Sequence, residues 1–210
     1  LSEEMYQITQ VGTQTVVAPV ISSTGLLLDQ DLTDTEGSEI VPSILTNDAR
    51  EFVVGKTPFA VYAELVAADC TDVGFLVGFR KKEAYAADFN NYTEMAAIGT
   101  IATVAGATPN GDLISTNGIL ANAATVTTST TIVPADTVSY TVEVLVAMDG
   151  TVTCKANGVA YPVYSAGTTA LVLAAGTIMI PFIRAVNIGG GDPDAVVSEW
   201  FAINSNSWKL

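Results

Sequence analysis

A chain of 210 residues with 49% hydrophobic and 14% charged residues can bury one substantial core and fits a single main domain. Its formal net charge of −14 disfavours nucleic acid, because a phosphate backbone calls for a basic patch, and no apolar run reaches the roughly 18 residues of a membrane-spanning helix. No histidine occurs, which removes Ser-His-Asp and Cys-His catalysis and histidine-based metal sites together.

Residues 1–57 read as an N-terminal arm and outer strand. Leu1 to Tyr6 lacks the basic-then-apolar layout of a secretory signal. Gln14 to Ile21 has strand character, but Pro19 has no amide donor, which moves that strand to a sheet edge. The acidic, turn-rich run from Asp29 to Glu39 buries too little by itself to offset the entropy of ordering it.

Residues 58–210 read as the sandwich domain. Phe59, Val61, Ala63 and Leu65 alternate onto one face of a strand, as do Val73, Phe75, Val77 and Phe79 of the next, and two such faces make a sandwich core. Lys81 to Tyr92 gathers charge, aromatics and amides in a loop or short helix at one end of the sandwich. Tyr85, Asn90 and Tyr92 are its candidate glycan contacts, against the plainer reading of a loop capped by its own aromatics. Strands follow at Ala96 to Thr103, around Leu113 to Gly118, and in the Thr-rich run from Ala124 to Val133.

The clearest ladder starts at Val138. Tyr140, Val142, Val144 and Val146 share a face; Asp149-Gly150 predicts a two-residue hairpin turn; Val152, Cys154 and Ala156 line the returning strand; and Asn157-Gly158 turns the chain again. A strand from Ile178 to Asn187, interrupted by Pro181, leads through Gly189-Gly190-Gly191-Asp192-Pro193-Asp194 to a last strand carrying Trp200. Trp200, placed in phase with Val196 and Ser198, reads as core. Cys154 falls in phase with Val152, so it and Cys70 read as buried free thiols in preference to a disulfide.

The order strand, Asp149-Gly150, strand, Asn157-Gly158-Val159-Ala160-Tyr161-Pro162, then Pro181-Phe182-Ile183-Arg184-Ala185-Val186-Asn187 and a closing strand with Glu199-Trp200 resembles lectin-like jelly-roll proteins of tailed-phage particles. Within that group the chain is similar to capsid cement, or decoration, proteins. The resemblance implies an all-β fold: a jelly-roll, concanavalin-like antiparallel β-sandwich with an extended N-terminal arm. It implies a virion protein, made in the host cytoplasm, that assembles as a homotrimer, binds the major capsid protein on the outer capsid surface and stabilises the shell. Tyr6, Val11, Val16, Val17 and Trp208 are the candidate capsid or subunit contacts under it. The alternative is a carbohydrate-binding module of a virion that recognises host surface glycans.

Groups that react are sparse. Gly189-Gly190-Gly191 precedes an acidic turn and opens no helix, so no phosphate cradle is expected. Asp29, Asp31 and Asp34, like Asp192 and Asp194, lack the ligand order of an EF-hand and read as solvated turns, so neither metal nor cofactor is expected. Glu64, Glu143 and Glu199 stand isolated on separate strands, and without an evident carboxylate pair for glycosidase chemistry the chain is expected not to be an enzyme.

Overall fold

The protein is described by a computed structural model covering residues 6–11, 20–22, 25–28, 37–42, 51–67, 73–86, 92–99, 114–119, 126–129, 135–162, 171–187 and 195–204. These residues form fifteen strands: β1 (Tyr6–Val11), β2 (Val20–Ser22), β3 (Gly25–Leu28), β4 (Gly37–Pro42), β5 (Phe52–Val53), β6 (Phe59–Ala67), β7 (Val73–Lys81), β8 (Glu94–Gly99), β9 (Ile114–Ile119), β10 (Val126–Ser129), β11 (Tyr140–Val146), β12 (Val152–Ala156), β13 (Val159–Pro162), β14 (Ile178–Asn187) and β15 (Ala195–Asn204). An eight-stranded sheet runs β1-β4-β14-β7-β8-β9-β10, with β5 also pairing β14, and a seven-stranded sheet runs β13-β12-β11-β6-β15-β3-β2.

Alternation decides which side chains meet between the sheets. Val61, Ala63 and Leu65 of β6, Val77 of β7, Val142 and Val144 of β11 and Ile183 of β14 belong to one buried cluster, as the period-two pattern requires. Phe52, Phe59 and Phe79 form its aromatic centre, with ring centroids 4.8 to 5.4 Å apart. Cys154 is a buried free thiol in the same cluster, and burial pushes its pKa up. Cys70 lies outside the described residues.

The first 57 residues supply the outer strand β1 at one sheet edge and also β2 to β5, so both sheets draw on this segment. Two local expectations change. Three residues, Met148, Asp149 and Gly150, make the β11–β12 turn instead of two: Ala147 N–H donates to Thr151 O at 2.8 Å, and Gly150 N–H to Ala147 O at 2.9 Å. β14 also runs through Pro181 without a break. On that flank it pairs with β5 at Ile178 and Met179 and with β4 from Ile183 onward, so the missing Pro181 amide falls in the gap between the two partners.

Candidate functional site

The seven-stranded sheet turns one face to the core and the other outward. On the outward face, register sets side chains from four strands into two rows. Lys155 of β12 lies opposite Glu143 of β11, Glu143 opposite Tyr62 of β6, and Tyr62 opposite Phe201 of β15. In the next row Thr141 lies opposite Glu64, and Glu64 opposite Glu199. Three carboxylates that the sequence spreads over more than a hundred residues thus share one patch with a pair of aromatic rings.

A β-bulge makes this possible. Val197 pairs with Leu65 and Glu199 with Glu64, so β15 spends one extra residue, Ser198, where β6 spends none. That residue resets the alternation. Glu199 turns outward, while Trp200 turns inward and packs against the core. Trp200 is therefore a core-packing residue as expected, but in phase with Val197 and out of phase with Val196 and Ser198.

The patch has defined internal contacts. The Tyr62 and Phe201 rings stack with centroids 5.1 Å apart and planes inclined by 21°, the offset arrangement aromatic quadrupoles favour. Lys155 Nζ lies 3.2 Å from Glu143 Oε2. Glu143 Oε1 is buried and has no hydrogen-bond partner among the described residues. The Ser139 hydroxyl donates to Glu64 Oε1, and the Ser198 hydroxyl to Glu64 O at 3.3 Å. Burial raises the Tyr62 pKa, and the charges of Glu64, Glu199 and Glu143 raise it further, so the phenol stays a proton donor well into alkaline conditions. Such a surface combines a partly buried aromatic pair, one neutral hydroxyl donor and several acceptors.

Of the loop named from the sequence, Lys81 to Ala86 and Tyr92 are described. Tyr92 is 1% exposed, and its hydroxyl donates to the Glu39 carboxylate, 2.7 and 2.8 Å from the two oxygens. Tyr85 is half-buried, with the Arg184 guanidinium 5.7 Å from its ring centroid. Glu83 accepts hydrogen bonds from the Thr93 amide at 2.7 Å and the Thr93 hydroxyl at 2.8 Å. Buried in this way, Tyr92 has no free face for a sugar. Asn90, Val16, Val17 and Trp208 lie outside the described residues, and Tyr6 and Val11 are the end residues of β1. Tyr62, Phe201 and Lys155 were missed. Alternation alone places Tyr62 beside Glu64 on β6, yet joining them to β11 and β15 takes cross-strand register, which no single stretch of sequence contains.

Neither a protein-family model nor a curated protein matches the chain. Solved structures do. A family 16 glycoside hydrolase endo-glucanase from Bacteroides ovatus shares 9% identity over 97% of this chain and 96% of its own, with a TM-score of 0.62. The carbohydrate recognition domain of Emp46p, in a potassium-bound form, shares 7% identity over 95% and 88% of the two chains, TM-score 0.59. An alginate lyase from Pseudomonas aeruginosa shares 10% over 91% and 87%, TM-score 0.54. At these identities the likeness is one of fold: this chain is a lectin-like jelly-roll β-sandwich. Two of these neighbours are enzymes, which overturns the expectation of a non-enzyme drawn from missing motifs. The ground for that expectation fails too, since Glu64 and Glu199 face each other across adjacent strands.

Proposed function

We propose that the chain is a carbohydrate-binding module and that the outward face of its seven-stranded sheet is the glycan-binding surface. One observation carries the reading: the stacked Tyr62 and Phe201 rings stand among Glu64, Glu143 and Glu199 on the sheet face turned away from the core. Sugar rings present C–H faces that pack on aromatics and hydroxyls that donate to carboxylates, so this is the combination saccharide recognition uses. The fold shared with a carbohydrate recognition domain adds support. The test is a glycan array followed by calorimetry on the hits. Tyr62→Ala and Phe201→Ala each weaken binding by about tenfold or more, a loss of roughly 1.4 kcal/mol, while Tyr85→Ala leaves it unchanged. An array without hits, or ring variants that bind like the parent chain, ends the reading.

The motif resemblance adds a place of action: a tailed-phage particle, with the module held as a homotrimer on the major capsid protein. The outer strands β1 and β2 favour this attachment, since edge strands can pair with a partner by strand addition, and three linked contacts would reinforce one another. In a density-gradient fractionation of a phage lysate, the protein then co-sediments with the shell at a fixed, high ratio; recovery as a free small oligomer contradicts this placement.

A further inference from the structure

We infer that the saccharide this face takes carries a free amine, so that a cationic amino sugar binds in preference to neutral or acidic sugars. The inference rests on the carbohydrate reading and names the ligand class within it. The strands of the seven-stranded sheet carry three carboxylates, Glu64, Glu143 and Glu199, against a single basic residue, Lys155. The ammonium of Lys155 is committed to Glu143 Oε2 at 3.2 Å, which leaves Glu64 and Glu199 unneutralised by any side chain of their own sheet.

Two features go beyond an acidic cluster. Glu143 is only 8% exposed, yet its Oε1 has no hydrogen-bond partner among the described residues, and a buried acceptor left unmet is costly enough that native structures rarely tolerate one. Glu64 and Glu199 are directly opposed across the bulge, where like charges repel. A bound ammonium relieves both, by giving an N–H donor to the unmet Glu143 Oε1 and a positive charge between the facing Glu64 and Glu199. It can also lie against the Tyr62 and Phe201 rings, whose faces attract cations.

A metal ion is the poorer match. Among the described residues no three acidic, cysteine or histidine side chains are grouped to hold one, so the glutamates make a spread field and not a point ligand set. A uronate chain would add negative charge to a protein already at −14 and is repelled.

The test is calorimetry on the full chain at low salt with three oligosaccharides of equal length: a β-1,4-glucosamine oligomer, its fully N-acetylated counterpart, and a uronate oligomer. The deacetylated oligomer is expected to bind about tenfold or more tighter than the acetylated one, with the uronate silent. Glu199→Gln, at an exposed position, and the isosteric Glu143→Gln each remove most of that preference, while the control Glu51→Gln, next to β5 of the other sheet, leaves it intact. Equal binding of acetylated and deacetylated oligomers overturns the amine inference and leaves the carbohydrate reading standing. No binding by any oligomer, together with a glycan array without hits, overturns both. Spermine binding as tightly as the glucosamine oligomer, with the same dependence on Glu143 and Glu199, marks a general polyamine site and overturns the sugar assignment.

Discussion

Glu39 is 1% exposed and sits between two arginines, with Arg80 Nε at 3.0 Å from one oxygen and Arg184 Nη1 at 3.4 Å from the other. The arginines also reach the covering segment: Arg80 Nη1 donates to Lys81 O and Glu83 O, and Arg184 Nη1 to Ala86 O. Desolvating three charges is expensive, so such a cluster holds only when its polar atoms are met. The Tyr92 hydroxyl supplies one of those contacts. Replacing it in Tyr92→Phe removes a hydrogen bond to a charged group and is expected to cost about 1.5–3 kcal/mol at neutral pH. Burial, and then the Glu39 charge, raise the Tyr92 pKa above its ordinary 10.0. The sign follows: the folded state holds this proton more tightly than the unfolded chain, so the stabilisation is complete below about pH 10 and is lost as pH climbs toward the raised value. Urea unfolding of parent and Tyr92→Phe from about pH 8 to about pH 11.5 checks it. The gap between the two should narrow above pH 10, because Tyr62 and Tyr85 are present in both; a constant gap contradicts the coupling.

At the scale of elements the two hairpin turns separate two costs that a sequence lumps together as glycine. Gly158 has φ +77° and nothing within 4 Å of where a Cβ would stand, whereas Gly150 has φ +86° and a Cβ there would lie 2.3 Å from Leu173 O. Gly158→Ala therefore meets left-handed strain alone, about 1–2 kcal/mol. Gly150→Ala adds a backbone clash that displaces the loop whose Leu173 N–H donates to Gly150 O at 3.0 Å, and thermal unfolding should show a clearly larger loss for it; equal losses would mean that the loop yields freely. The same contrast explains what was legible. Period-two alternation is local, so β6, β7, β11 and β12 could be read with their core faces, and Asn157-Gly158 as a turn. Contacts made across strands could not. The gap that accommodates Pro181 depends on where β4 and β5 end, the length of the β11–β12 turn on how Ala147 and Thr151 pair, and the patch around Tyr62 on a bulge that leaves no mark in the residues of β15 themselves.

Over the whole molecule the question is which electrostatic effect governs stability. The net charge is −14, and self-repulsion of that size opposes the compact state. Working the other way are ion pairs such as Lys82–Glu51, whose side chains are 36% and 30% exposed, and Lys155–Glu143, whose side chains are 23% and 10% exposed. The exposed Lys82–Glu51 pair is worth only about 0–1 kcal/mol, and the more buried Lys155–Glu143 pair and Glu39 cluster are little reached by salt. Repulsion between surface carboxylates, by contrast, is long-ranged at low salt, where the Debye length is about 30 Å at 0.01 M and falls to about 8 Å at 0.15 M. Screening therefore removes more repulsion than attraction, and the unfolding temperature should rise with sodium chloride over this range, each kcal/mol gained appearing as about 2–4 °C in a chain of this size. The Glu199→Gln variant sharpens the test. It removes one charge from the facing pair with Glu64, so it should unfold at a higher temperature than the parent at low salt, with the advantage shrinking as salt is added. A parent chain whose unfolding temperature falls with salt, or a Glu199→Gln variant that is less stable than the parent at low salt, would place the balance with the ion pairs instead.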